Sequence, residues 1–386
     1  MPPGRVFVVG PYTPNGGTHL AYHAARIIQE SFGYAAIAVT VADETPAHGM
    51  FRYDSIFPSV TIDELERSIT ANDLLFANAG HSRFAFGPRL PGRKLMYVQG
   101  FITPRPLDRN YDAYIAVSGF VQRFLKNVYD VAAPVIPAFV QIDDVPALAE
   151  WDDRAPGSVL VHHKGHTGDL AALTRAVAER DPGIDLSSSL PYVPHSQLKA
   201  TLGAVRYLIS VAPAEGFGLV PLEAMAVGTT VVGFDGYGGR EYMRDGVNCA
   251  CTHHGDFSGL SQRVVTTVRD PEASKRLADA GRRTAARIAY RSIRKRWIDE
   301  VARFLELHRV QASHHAVYSL MSSFRIEASS RRRFGSLHSG AAGCGPRFML
   351  GTSSGTPSKR ESLPLSRSSC STEPTKSNVL RSTPAK

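Results

Sequence analysis

Little in this chain can form covalent or metal cross-links. Its four cysteines, Cys249, Cys251, Cys344 and Cys370, are too few and too scattered for a disulfide framework or a zinc site. Long hydrophobic runs are missing as well. No stretch approaches the roughly 18–20 uninterrupted apolar residues that a membrane-spanning helix requires. The start of the chain lacks the apolar run of a secretory signal, because Met-Pro-Pro-Gly-Arg leads directly into the strand pattern Val6–Gly10. A cytoplasmic protein is the simplest expectation, with peripheral contact at the inner membrane face as its one extension. An excess of basic charge is also absent from the body of the chain. The net charge of +9 belongs to the segment from Arg309 onward, with twelve Lys/Arg against three Asp/Glu, while residues 1–308 hold 32 of each sign. A neutral body with a basic tail excludes the footprint of a nucleic-acid-binding domain.

What is present is ample apolar material, 43% of 386 residues, enough for two domains. Val6–Gly10, Ala36–Val41, Leu74–Ala79, Lys94–Val98, Ala113–Val117 and Val135–Phe139 are continuous apolar runs, with helical patterns at Thr18–Phe32 and Phe120–Tyr129. Unbroken apolar strands separated by helices predict an α/β fold whose parallel sheet is covered on both faces. Prolines and acidic residues around Gln141–Gly157 mark a linker. A second series follows. Val159–His162, Tyr207–Val211 and Thr229–Phe234 read as strands, and Asp169–Arg180, Pro221–Val227 and Ala273–Ile288 as helices. A last amphipathic helix covers Arg291–Leu307. Beyond it Ser, Arg, Gly, Pro and Thr dominate without periodicity, a composition that predicts disorder.

The strongest chemical signal is Glu215-Gly-Phe-Gly-Leu-Val-Pro-Leu-Glu223, between a strand and a short helix closed by Gly228. The glycines allow backbone to approach a ligand, and the helix start aims unpaired N–H groups at it. Glu223, expected in the first helical turn, would bring its carboxylate to the same mouth as Glu215. Such a segment offers a diphosphate cradle together with carboxylates that accept from sugar hydroxyls. A second Gly pair, Gly16-Gly17, lies between the first strand and first helix, again at the mouth of a parallel sheet. It does not spell the dinucleotide fingerprint Gly-x-Gly-x-x-Gly. Lys164, just after the first strand of the second series, could offset charge on a departing diphosphate. His162, His163 and His166 sit nearby, but no carboxylate cluster accompanies them, so no metal is expected.

Residues Glu215–Gly233, continued by Gly236-Tyr-Gly-Gly-Arg-Glu-Tyr242 and Asp245-Gly246, closely resemble the donor-site signature of the family 4 (group 1) glycosyltransferases. The resemblance extends more weakly over residues 5–308 and leaves the tail out. It implies a GT-B fold, two Rossmann-like domains with parallel sheets facing across a cleft. The expected division is an acceptor-side domain at 1–145, a linker at 146–156 and a donor-binding domain at 157–290. A helix at 291–308 would cross back to the first domain, and a disordered basic tail would occupy 309–386.

The resemblance implies a nucleotide-sugar donor and a glycan, lipid-linked or small-molecule acceptor. It also implies transfer with retention of anomeric configuration, without a cofactor, in polysaccharide or glycoconjugate biosynthesis. Glu215 would contact the transferred sugar and Glu223 the donor ribose. Gly216, Phe217, Gly218, Leu219 and Val220 would present backbone to sugar and diphosphate, with Gly16 and Gly17 against the diphosphate or acceptor. Two departures stand out. Family members usually place an Arg several residues before the Lys that Lys164 matches, and none stands in Val159–His163. Where many have Thr-x-His-Gly, this chain reads Tyr97-Val98-Gln99-Gly100. Gln99 can hydrogen-bond a hydroxyl but cannot act as an acid or base. His81 and Arg240 are the remaining candidate cleft contacts. The departures favour one rival, a catalytically silent GT-B-like nucleotide- or partner-binding protein. A second rival keeps the fold and changes the chemistry, to a GT-B sugar-nucleotide epimerase or a glycogen phosphorylase-like enzyme.

Overall fold

The computed structural model of the chain describes residues 4–10, 15–41, 57–101, 106–142 and 147–306, all within one compact unit. The expected disordered tail at 309–386 and nearly all of the loop Asp43–Ser59 lie outside the described residues.

The first half runs β1 (Arg5–Val9), α1 (Gly16–Phe32), β2 (Ala35–Thr40), β3 (Ser59–Thr61), α2 (Ile62–Ser68) and β4 (Leu74–Asn78). It continues with α3 (Phe86–Arg89), β5 (Arg93–Val98), β6 (Ala113–Ala116) and α4 (Gly119–Tyr129). Its six strands pair in parallel in the order β3-β2-β1-β4-β5-β6. β1 and β4 are buried almost throughout, which is why their sequences read as unbroken apolar runs.

The second half contains β7 (Val159–His162), α5 (Thr167–Ala178), α6 (His195–Gly203), β8 (Tyr207–Ser210) and α7 (Leu219–Ala226). After these come β9 (Thr230–Phe234), β10 (Ala250–Thr252), α8 (Phe257–Arg269) and α9 (Pro271–Arg287), then a helix α10 at 290–306. Its strands pair in parallel as β10-β9-β8-β7, and Ser189 makes one further parallel bridge to Val161 on the other edge of β7. Chain order therefore reverses at β1/β4 in one sheet and at β7 in the other. Beyond the carboxyl ends of strands at such a reversal a crevice opens that no crossover helix covers. Gly16 and Gly17 follow β1, and Lys164 and Glu215 follow β7 and β8.

Two local expectations are corrected. Val135–Phe139 is not a strand: it makes a single bridge, Ala116 with Val135, because Pro134 and Pro137 remove the N–H groups that a ladder needs. α7 begins at Leu219 with Gly218 as its cap, so Pro221 occupies its third position, where a missing N–H still costs no helical bond. Glu223 consequently lies in the second turn instead of the first. α10 packs on the first half, Trp297 lying 5.9 Å from the ring of Phe76 and 5.0 Å from that of Tyr97, with Arg294 reaching Glu30 at 3.4 Å.

Candidate functional site

The loop after β8 is shaped by close backbone contacts that exclude side chains. Glu215 donates its N–H to the Gly236 carbonyl at 2.8 Å and accepts from Gly238 N–H at 3.0 Å. Tyr237, between these partners, adopts φ 66° and ψ −55°, and Gly238 N–H closes back onto the Gly236 carbonyl at 2.8 Å. That is a γ-turn of the strained, positive-φ kind, held in place by the ladder to Glu215. Gly216 touches the opposite half of the molecule, since a Cβ there would stand 1.9 Å from the Gln99 carbonyl oxygen. Gly218 has φ +87°, a conformation that favours glycine, and its carbonyl accepts from the Tyr242 hydroxyl. Full burial holds the Tyr242 phenol far above its usual pKa, so it keeps the proton it donates. The Phe217 ring packs on Tyr242 at 5.3 Å, which completes the support of the loop from below.

Across this loop stands Lys164, whose Nζ lies 2.9 Å from Glu215 Oε1. Its φ of 49° places it in the left-handed region, uncommon outside glycine, directly after β7. The lysine side chain is 59% exposed and the glutamate 18%, so the pair sits at the edge of the cleft with the carboxylate the more enclosed partner. His162 lies beneath, its Nδ1 3.1 Å from Ser210 Oγ. Burial above all, then Lys164 and His163, lowers its pKa to about 4, so the ring is neutral at pH 7.

The first half contributes the opposite wall. α1 starts at Gly16, one turn's edge earlier than the apolar pattern suggests, and Asn15 caps it by accepting from Thr18 N–H at 2.9 Å. Gly16 and Gly17 therefore occupy the first turn, whose N–H groups have no helical partner. A Cβ on Gly16 would meet Leu219 Cδ1 at 2.5 Å and one on Gly17 would meet Gln99 Oε1 at 2.6 Å, so a side chain at either position would displace the end of its neighbour. Gln99 Nε2 donates to the Gly17 carbonyl at 2.9 Å, so this side chain braces the glycine turn.

Glu223 is 6% exposed, and its Oε1 lies 3.0 Å from Nε2 of His195, the first residue of α6. The His195 ring packs on His19 of α1, centroids 4.3 Å apart, which joins the two halves. Two adjoining cavities share Asn15, Gly16, His162, Lys164, Leu219 and Val220. One, of about 370 Å³, reaches Gln99, Glu215 and Gly218. The other, of about 450 Å³, reaches Glu223, His195 and the segment Leu190-Pro-Tyr-Val193.

The structure thus brings together Gly16, Gly17, Gln99, Lys164, Glu215–Val220 and Glu223. Three candidates do not line these cavities, Gly216, which sits against the Gln99 backbone, and two that lie elsewhere. His81 is buried in a short turn, Ala79–Phe84, and its pKa falls to about 4 through burial and then Arg83. Arg240 is turned to Asp235 at 2.7 Å and to His253 at 3.2 Å, with its guanidinium over the Tyr237 ring. The sequence offers no sign of His195 or His19, and it shows Tyr242 only as part of the signature, without a role. Only their pairing with residues 28, 176 and 24 positions away reveals these roles.

Residues 187–284 match the sequence profile of the family described as Glycosyl transferases group 1. The putative glycosyltransferase EpsD of Bacillus subtilis (strain 168) is 35% identical over 83 residues, which cover 21% of this chain and 22% of that protein. Among solved structures, Anabaena HepE in complex with UDP and glucose superposes with a TM-score of 0.62. The match has 16% identity and covers 78% of this chain and 99% of that one. A glycosyltransferase from Rickettsia africae ESF-5 gives a TM-score of 0.60 at 14% identity, over 78% and 98% of the two chains. The fold is GT-B.

Proposed function

We propose that this chain is a glycosyltransferase that moves a sugar from a nucleoside-diphosphate sugar to an acceptor hydroxyl. The observation that carries the reading is the meeting of Lys164 and Glu215 at 2.9 Å beside the Gly216–Gly218 loop and the start of α7, at the mouth of both sheets. The match of residues 187–284 to group 1 glycosyl transferases supports the same assignment.

In this reading the nucleoside occupies the larger cavity, with its base along Leu190–Val193 and its ribose hydroxyls toward Glu223. The diphosphate lies on the free N–H groups that open α1 and α7, where helix dipoles favour negative charge. Lys164 supplies a cation to the leaving phosphate, and Glu215 accepts from the transferred sugar's hydroxyls. The bond from the anomeric carbon to the phosphate oxygen breaks while the acceptor oxygen bonds to that carbon. The acceptor proton passes to the departing phosphate oxygen. Attack on the face that the phosphate leaves retains configuration. No protein nucleophile is needed, so the residues act by positioning and charge stabilisation. Polysaccharide or glycoconjugate assembly is the role that this chemistry fits, with a glycan, lipid-linked or small-molecule hydroxyl as acceptor.

Nucleotide release from a panel of UDP-, GDP- and dTDP-sugars tests the reading. Release by the wild type is expected to fall at least about 10²-fold in Glu215→Ala and in Lys164→Met. Tight nucleotide binding with no release from any donor, in the presence or absence of acceptor sugars, would instead identify a silent binding protein.

A further inference from the structure

The helix that carries Glu223 is otherwise apolar, Leu-Val-Pro-Leu before it and Ala-Met-Ala after it, and buried along most of its length. A carboxylate in such surroundings needs a partner to hold its charge and fix its rotamer. Among the described residues the Glu223 carboxylate has one hydrogen-bonding partner, Nε2 of His195 at 3.0 Å. One carboxylate oxygen is engaged in this way, and the residue still lines the larger cavity.

His195 is itself held from two directions. It opens α6 directly after Pro194, which fixes the backbone from which the ring springs. Its ring then lies 4.3 Å from that of His19, with an angle of 33° between the planes. His19 is 5% exposed and packs in turn on His23 at 4.5 Å, which meets Phe139 at 4.9 Å and Tyr290 at 5.2 Å. The imidazole thus spans the cleft. One nitrogen serves the second half through Glu223, and one face rests on the first half through α1.

We infer that His195 is a positioning residue for the nucleotide's ribose. It holds the Glu223 carboxylate in the orientation that accepts from ribose hydroxyls, and through His19 it makes that orientation depend on the closed cleft. The inference rests on the proposed donor site and adds a residue that acts on the ribose through another side chain. A group that acts in this way should alter how well the protein reads the hydroxyls and leave the rest of the nucleotide's binding energy alone.

The experiment titrates UDP, GDP and ADP, each with its 2′,3′-dideoxy counterpart, into the full chain and into His195→Ala, His195→Gln and Glu223→Gln. Thermal melts report folding of each variant. The wild type should prefer the ribose form of its best nucleotide by about tenfold or more. His195→Ala should lose most of that preference while binding the dideoxy form as the wild type does. His195→Gln, which restores an N–H donor at similar reach, should recover part of it. Should His195→Ala fail to fold, the comparison of His195→Gln with Glu223→Gln decides, the former retaining and the latter losing the preference. Full ribose preference in His195→Ala overturns the inference and leaves the donor site standing. Equal loss of both nucleotide forms also overturns it, since that is the mark of a structural role. No binding of any nucleotide by the wild type overturns the donor-site reading and the inference with it.

Discussion

Replacing Gly216 by alanine adds one methyl group at the narrowest point between the two halves. The backbone there is not in the left-handed region, so the substitution brings no conformational penalty of its own. The obstacle is contact. The new Cβ would lie 1.9 Å from the Gln99 carbonyl oxygen, 2.7 Å from its carbonyl carbon and 3.1 Å from Gly100 Cα. All three are backbone atoms and cannot rotate aside. Since Cβ contacts below 3.0 Å essentially do not occur, the cleft must open by roughly 1 Å. A misplacement of that size between reacting groups costs on the order of 10²-fold in rate. One buried cluster runs through both halves, so parting them should also lower the melting temperature, and activity is compared well below it. Nucleotide release from the donor that the wild type accepts is the assay, with Gly100→Ala as the matched control, because a Cβ at Gly100 meets nothing within 4 Å. Release by Gly216→Ala within threefold of the wild type would refute the reasoning, as would an equal fall in Gly100→Ala.

Two further perturbations address stability. Arg154 is 3% exposed, and its guanidinium donates to the carbonyls of Val205 (3.0 Å), Val227 (2.8 Å) and Gly228 (3.3 Å) and to Thr229 Oγ1 (3.0 Å). Arg154→Met should lower stability by about 3–5 kcal/mol in urea unfolding, because carbonyls at the end of α7 lose their donor. Arg154→Lys should recover little of it, having one ammonium in place of a five-donor fork. The second concerns His81 and His162, each lowered by burial from 6.5 to about 4. As pH falls below 6.5 the unfolded chain takes up these protons first, so stability present at neutral pH is lost progressively between 6.5 and 4. The loss reaches up to about 3 kcal/mol for each ring. Urea midpoints measured at pH 7 and 4.5 should therefore differ by more in the wild type than in His162→Gln, and equal differences would show that burial of this ring is not the cause.

The amino-acid sequence by itself determined the strands that are buried almost throughout. β1, β4, β5, β8 and β9 are apolar on both faces over most of their length, so their identity needs little knowledge of neighbours. The loop Glu215–Gly218 was legible for a related reason, since two glycines and a proline at fixed offsets restrict backbone geometry locally. Tertiary structure decided the rest. Val135–Phe139 has the composition of a strand, yet its flanking and internal prolines deny it a ladder. β3 and β10 are three residues each and exist because a sheet edge is there to receive them. At the site, the carboxylate expected near Glu215 instead lies a turn deeper, where His195 holds it. Gln99, whose amide could have faced a hydroxyl, braces Gly17 from 82 residues away. Side-chain chemistry names what a residue can do, while the partner that engages it comes from packing between segments distant in the chain, to which local pattern is blind.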